Sequence, residues 1–533
     1  MLQIDEHSVE SSGAREKHNL GRAYEPYREH GRDFTAAQRV SNSVRHSKRI
    51  GYGCAHVVPF PIGCIDRLKN YPTHARRFVT WRTPLGQTKN VSHPPKMMHL
   101  MTWLMGNSYH AAGWRHGLAW ERTTMRLDVL VEVAKMAEQA KMDALFIADG
   151  NAVRNMDKIG LFEANTPSAR PAVFDPVTLM AAISQHTEHI GLVSTASTTY
   201  ESPWSVARRY ASLDHLSNGR AAWNVVTGSN PGDSQNFGLE HHPNREERYA
   251  RAEEFVEACT ALWNSWEPDA FVERKDTGQY LDSSKVRTAD YKGEHLSVKG
   301  PLNVARSPQG RPVLFHAGQS EGGRRLAARH ADCIFAAAAN VEAAREFTTD
   351  LKRRRAELGG DPDQLRIIVS VAIYLGRTED ESTALYHELN ALIDPGLGVD
   401  FLAKAVSEDL SGYPIDGPMP DLAGPVVGGN SIRGQLDAIA KAEHLTIRQL
   451  YERVVPSVGN AALIGTATQV ADVMEEWFRT GACDGFVLGA SINPFTLRLI
   501  RDELVPELQR RGLFRTDYTG STLREHLGLR TTA

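Results

Sequence analysis

Cysteine is scarce in this 533-residue chain, which has five: Cys54, Cys64, Cys259, Cys333 and Cys483, scattered and without a C-x-x-C pair. An odd, dispersed set points to neither a disulfide framework nor a zinc site, and buried, inert thiols are expected. Long apolar runs are missing too. None approaches the roughly 18 residues that a membrane-spanning helix needs, and the start lacks the charged and apolar regions of a signal peptide. The formal net charge is only −3, and the basic residues lack the dense clusters of a nucleic-acid arm. Nor is there a G-x-G-x-x-G after a strand, a Walker loop, H-E-x-x-H or G-x-S-x-G, which removes the familiar dinucleotide, nucleotide-phosphate, zinc-protease and serine-hydrolase sites. The expectation is a cytoplasmic protein acting on a small molecule, with no nucleic acid, membrane or metal.

What is present divides in two. Residues 1 to 95 carry a charge balance of +7 and residues 96 to 533 one of −10. The first part is rich in Arg, His, Ser, Pro and Tyr with little periodicity. It reads as an N-terminal extension, either poorly ordered or the product of a start codon placed upstream of Met97 or Met98. From Met98 onward, strand signals near 98, 144, 190, 221, 312, 333, 367 and 485 alternate with helical spacing. Eight such units favour a (β/α)8 TIM barrel over an open doubly wound sheet. Insertions near 267–311 and 390–462 interrupt the period, the second long enough to serve as a lid.

The stretch from Ala221 to Trp266 shows the unit well. The apolar run Ala221-Ala222-Trp223-Asn224-Val225-Val226 precedes a Gly/Ser/Asn/Pro loop, and from Arg245 the apolar residues recur at helical spacing. In α/β enzymes ligands bind at such strand-to-loop junctions. Polar residues ending or interrupting apolar strands, Asp149, Thr195, Asn224 and Thr227, are therefore candidate ligand contacts, although Asp149 reads equally as a turn cap. His316-Ala317-Gly318-Gln319-Ser320 precedes a helix, where free N–H groups favour an anion; an ordinary helix cap accounts for it as well. Arg245-x-x-Arg248-Tyr249 opens another helix and reads either as a phosphate contact or as part of an apolar stripe. His110, in the first loop, has the chemistry of an acid/base or oxyanion donor, but also that of a solvated loop residue.

Several longer motifs carry a resemblance: TTYESPWSVARRYASLDHLSNGRAAWN at 198–224, WNVVTGSN…NFG…ERYARAEEF…LWNSW at 223–266, GPLNVARSPQGRPVLFHAGQSEGGRRLAA at 300–328 and VPELQRRGLFRTDYTGSTLREHLGL at 505–529. From Met98 on, the chain resembles the flavin-dependent monooxygenases of the bacterial luciferase-like superfamily, in the nitrilotriacetate and dibenzothiophene-sulfone monooxygenase branch. The resemblance implies a TIM barrel that uses reduced FMN from a separate NAD(P)H:flavin reductase. One atom of O2 would enter a small xenobiotic or organic-acid substrate, and the protein would be a homo-oligomer, dimer or tetramer. It further implies flavin contacts at Asp149, Thr195, Asn224 and Tyr249, a phosphate site at Gly318, Gln319 and Ser320, and a catalytic role for His110. Arg245 stands where the family often has His and His316 where it often has Gln, so Arg245 becomes a candidate phosphate donor. Lys441 falls where the sulfone enzymes look to have a lid histidine. A deazaflavin-dependent dehydrogenase or a non-catalytic flavin-binding protein on the same barrel are the alternatives.

Overall fold

The eight apolar runs become strands that are covered on both faces, by helices outside and packed side chains inside, so no polar alternation is required of them. The computed structural model describes residues 96–164, 172–228, 230–421 and 432–531. The expectation for residues 1–95 lies outside them. In chain order the first half contains β1 (His99–Trp103), α1 (Leu127–Gln139), β2 (Ala144–Ile147), α2 (Ile159–Glu163), α3 (Pro176–Ser184), β3 (Gly191–Ser197), α4 (Pro203–Leu216), β4 (Ala221–Val226) and α5 (Arg245–Trp263). Two small antiparallel hairpins fill the first insertion: β5 (Phe271–Arg274) with β6 (Gln279–Leu281), and β7 (Tyr291–Lys292) with β8 (Ser297–Val298). The barrel resumes with β9 (Val313–His316), α6 (Glu321–His330), β10 (Cys333–Ala337), α7 (Val341–Glu357), β11 (Arg366–Leu375) and α8 (Glu379–Ala391). Helices α9 (Pro395–Val406), α10 (Ile432–Glu443) and α11 (Ile447–Val454) occupy the second insertion. Then come β12 (Ala461–Gly465), α12 (Ala467–Arg479), β13 (Gly485–Ala490), α13 (Phe495–Leu499), α14 (Val505–Arg510) and α15 (Leu523–His526).

Strands β1, β2, β3, β4, β9, β10, β11 and β13 pair in parallel, in that order, and β13 returns to β1. This is the closed eight-stranded barrel expected from the eight βα units. One strand was not foreseen. Ten-residue β11 spends its first half against β10; on that same edge its second half, Val371–Leu375, runs past β10 and pairs with β12, while Ile368–Ile373 pair with β13 on the other edge. A strand that long would otherwise present an unpaired edge. The helix that follows β12 starts as its sequence indicates: Thr466 and Gln469 form a reciprocal capping box. Among the described residues no helix is long and apolar enough to cross a membrane, and Cys259, Cys333 and Cys483 are buried free thiols whose pKa burial pushes up.

The amino-terminal end of the barrel is held by three buried aspartates, each immediately before a strand. Asp143 accepts from Leu100 N at 2.8 Å, Asp332 from Leu314 N at 2.9 Å and Asp484 from Ile367 N at 2.9 Å, so each ties its own strand to a neighbour. Burial alone raises these carboxyls. Arg515 and His99 around Asp143, Arg311 and Arg524 around Asp332, and Lys352 and Lys96 around Asp484 outweigh it and hold all three low, Asp484 at about 2. A carboxyl whose folded pKa lies below its unfolded value of about 4 adds stability that is complete above that pH and is lost as the pH falls toward the folded pKa. The melting temperature is accordingly expected to hold from pH 7 to 5 and to fall steeply between about 4 and 2. Asp484 accounts for about 2 kcal/mol of the change. Asp484→Asn should melt lower than wild type at pH 7 and show a shallower acid limb; an unchanged limb counts against this role.

Candidate active site

At the carboxyl ends of β1 and β2 a cavity of about 730 Å³ opens between the following loops. Trp103, Phe146, Trp120 and Phe174 give it aromatic walls, while Arg115 and Arg122 line it with charge. The Trp103 indole Nε1 is buried and finds no acceptor among the described residues. Arg115 donates to the carbonyl of Leu392, and the neighbouring His116 pairs with Glu388 at 3.3 Å, both from the α8 region. Helices α9 to α11 form a small core of their own, built around Leu402, Val406, Ile447, Leu450 and Tyr451, and Ala112 of the β1 loop packs into it. Lys158 of the β2 loop reaches Asp400 of α9 at 2.7 Å, and Lys404 reaches Asn155 at 2.9 Å. The second insertion is therefore a helical cover over loops at the carboxyl end of the barrel. Lys441, on its α10, is exposed and pairs with Asp437.

Beside the cavity, sequence-distant polar residues converge. Asp149 follows Ala148, which lines the cavity, directly after β2. Strand register sets Thr195 opposite Asn224. Asn224 Nδ2 donates to Thr195 Oγ1 at 2.9 Å, and that hydroxyl donates to the Ile147 carbonyl at 2.7 Å. Asn224 Oδ1 is left buried without a donor among the described residues. One strand over, His316 is 3 % exposed; its Nδ1 meets the Val225 carbonyl at 2.8 Å, so that nitrogen carries the proton and Nε2 is a bare acceptor, also without a partner. Buried acceptors are normally satisfied, so each of these is a candidate ligand contact; the register places Asn224 with barrel-lining Phe315 and His316 with Val225, on the face toward the helices.

The loop after β9 completes the arrangement. Ser320 caps α6 by accepting from Gly323 N at 3.3 Å, and its hydroxyl lies 3.4 Å from Tyr249 Oη. Gln319 spans to the Ala337 carbonyl at 2.9 Å. Gly318 lets these groups close in on the loop: a Cβ there would stand 2.5 Å from both His316 Nε2 and Tyr249 Oη, so the space beside it is already filled. The tight fit is extended by Gly322, which lets the first turn of α6 lie on the Tyr249 ring. Arg324 and Arg325, in the first turns of α6, are committed elsewhere, to Asp350 and Glu253.

Two expected site residues stand apart. Arg245 is the first residue of α5 and is exposed, and no side-chain contact joins it to Tyr249 or Ser320 among the described residues. His110 is fully enclosed and does not line the cavity. Its Nδ1 accepts from Ala112 N at 3.0 Å, so Nε2 carries the proton and faces Asn390 Oδ1 of α8 at 3.4 Å. Burial outweighs that bond and lowers its pKa to about 4, leaving the ring neutral near pH 7. Other groups escaped sequence reading. Tyr200 Oη meets His242 Nδ1 at 2.5 Å and its ring stacks on Phe237 at 4.7 Å. Tyr109 joins Ser370 and Asn460 across the barrel mouth. The aromatic after TT in the TTYESP motif was the one local signal for the first; nothing local announces the second. Among the described residues no cluster of His, Cys, Asp and Glu could hold a metal.

The chain is similar to known proteins in sequence and fold. The profile of luciferase-like monooxygenases matches residues 104–483. The N-acetyl-S-(2-succino)cysteine monooxygenase of Bacillus subtilis (strain 168) is 43% identical over 438 residues, 81% of this chain and 97% of the relative. Nitrilotriacetate monooxygenase component A of Aminobacter aminovorans is 40% identical, over 81% of this chain and 97% of its own. Among solved structures, riboflavin lyase with modified FMN and riboflavin superposes with a TM-score of 0.70 at 30% identity, covering 82% of this chain and 97% of that one. With the family profile spanning most of the barrel and relatives aligned along nearly their whole length, the chain belongs to the luciferase-like monooxygenase family.

Proposed function

We propose that this protein is the oxygenase of a two-component system: it takes reduced FMN from a separate NAD(P)H:flavin reductase and places one oxygen atom of O2 in a small organic acid. The observation that carries the reading is Asn224 Oδ1, a buried acceptor with no donor among the described residues, on the barrel-interior face near the carboxyl end of β4. A flavin has ring N–H and side-chain O–H donors for such acceptors and a phosphate for a helix start, so the residues fit the group. When bound, reduced FMN supplies the activation of O2; the protein supplies binding, orientation and a dry pocket.

In this reading Asp149, Thr195 and Asn224 hold the ring, with Thr195 locking the Asn224 amide so that its carbonyl faces inward. Tyr249 and Ser320 offer hydroxyls to the phosphate, and Gly318 and Gln319 offer backbone N–H groups. His110 serves from behind the pocket, its neutral ring fixing the β1 loop against α8. The substrate lies in the aromatic cavity, with Arg115 and Arg122 for its carboxylate. Two relatives whose names specify succinylated cysteine and nitrilotriacetate, both organic acids, support that class.

The test supplies FMN, NADH and a generic flavin reductase and follows O2 uptake with N-acetyl-S-(2-succino)cysteine, nitrilotriacetate and a neutral alkane. Uptake driven by an acid, with an oxygenated or cleaved product, is the expected result. No turnover of any of them, together with no binding of reduced FMN, would overturn the proposal. Arg245, one helical turn before Tyr249 but in solvent, contributes only long-range attraction. Arg245→Ala is expected to weaken FMN binding about threefold at low salt, a difference that vanishes near 0.5 M salt, where the Debye length is only about 4 Å. A loss that survives high salt would instead indicate direct contact.

A further inference from the structure

Resting on the FMN reading above, we propose that binding of a phosphate group at the Gly318–Ser320 loop is coupled to uptake of a proton at His316 Nε2. The geometry leaves the ring little choice. Its Nδ1 proton is committed to the Val225 carbonyl at 2.8 Å, so the neutral ring presents only a lone pair on Nε2. That atom is buried and has no partner among the described residues, and with Tyr249 Oη it lies close against Gly318, just before the ten-residue helix α6. A phosphate oxygen seated there is also an acceptor, and two acceptors repel. A proton on Nε2 turns the repulsion into a charge-assisted hydrogen bond. A glutamine at this position would donate from its amide at any pH and need no proton, so His316 makes the affinity of this chain pH-dependent.

The surroundings set the direction. Burial lowers the His316 pKa to about 4, and the Val225 bond only partly opposes it, so the empty site is neutral near pH 7. Tyr249 on α5 is the titratable group that faces the ring, edge-on with centroids 6.2 Å apart. On the same helix Arg248 turns to the Pro243 carbonyl and Glu253 pairs with Arg325 and Arg329. On α6, Glu321 pairs with Arg354 and Arg324 with Asp350. The neighbouring strands set Val225 and Ile334 opposite His316, neither of them charged. With no resident charge acting on the ring, an incoming anion dominates its protonation.

The experiment is isothermal titration of the full-length protein with FMN, with inorganic phosphate and with riboflavin, near pH 7, in two phosphate-free buffers of different protonation enthalpy. Wild type is expected to take up close to one proton more per bound FMN or phosphate than His316→Gln, and riboflavin, which lacks the phosphate, is expected to show no such difference. FMN affinity should weaken by up to tenfold per pH unit above neutrality in wild type relative to the variant. FMN or phosphate binding with no proton uptake in wild type overturns the proposal whatever the variant does, and leaves the flavin reading standing. Proton-linked phosphate binding without any FMN binding supports the proposal and overturns the flavin reading. Binding of neither overturns both.

Discussion

Gly318→Ala is expected to raise the FMN dissociation constant about 100-fold, about 2.7 kcal/mol, while the barrel stays folded. The added Cβ would stand 2.5 Å from His316 Nε2 and from Tyr249 Oη, closer than real Cβ atoms approach anything. Neither ring yields easily. His316 is held by the Val225 carbonyl, and Tyr249 lies under the first turn of α6, where Gly322 admits it. The methyl therefore has to displace one of the rings or the loop itself, and either outcome disturbs the seat proposed for the phosphate. Gly318 does not adopt a positive φ, so the substitution adds no backbone strain and the effect is steric. Fluorescence titration with FMN measures it, with Gly412→Ala, where nothing lies within 4 Å of the new carbon, as the control. Affinity unchanged in Gly318→Ala would place the phosphate elsewhere.

Leu523→Ala should cost 2–5 kcal/mol of folding stability, as other buried leucine truncations do. Leu523 is fully buried within the barrel, among Met101, Ala144, Val193, Ala222, Val313, Ile368 and Val487, with Leu527 and Leu529 beside it. Helix α15 is thus a plug in the amino-terminal end of the barrel, and Gly191 of β3 has no side chain because Leu523 occupies that space. Leu523 N donates to the Gly219 carbonyl at 3.0 Å, Arg524 N to Gln309 Oε1 at 2.9 Å, and Arg524 pairs with buried Asp332 at 3.1 Å. Deleting residues 519–533 removes all of these at once and leaves Asp332 with one cation fewer, a cost of several kcal/mol for a buried charge. The expected product is insoluble. Urea unfolding reads the point variant: a loss below about 1 kcal/mol would mean that α15 merely rests on the barrel.

Part of the candidate site can be read in the sequence. Asn224 and Thr195 announced themselves as polar residues within apolar strands, and Gly318 to Ser320 as a cap with room for an anion. Such signals are local: a strand's environment and a helix's start are written in the residues that form them. What a side chain touches across the barrel is not. Nothing near His110 shows that Asn390 of α8 lies against it, and nothing near Arg245 shows that its helix end faces solvent. Nor does anything near Asn224 or His316 show that each keeps one acceptor without a donor.

The sequence by itself determined the eight βα units, the two insertions, the helix caps and the family, because hydrophobic period, capping residues and long motifs are properties of contiguous residues. Tertiary structure alone decided the ring closure of β13 on β1, where Thr102 Oγ1 reaches the Leu488 carbonyl at 2.8 Å. It also decided the extra strand β12, the C-terminal plug, the aspartate ties beneath the barrel and the close approach of His316 and Tyr249 to Gly318. These depend on contacts between residues far apart in the chain, whose mutual fit is set only once the barrel is closed and packed.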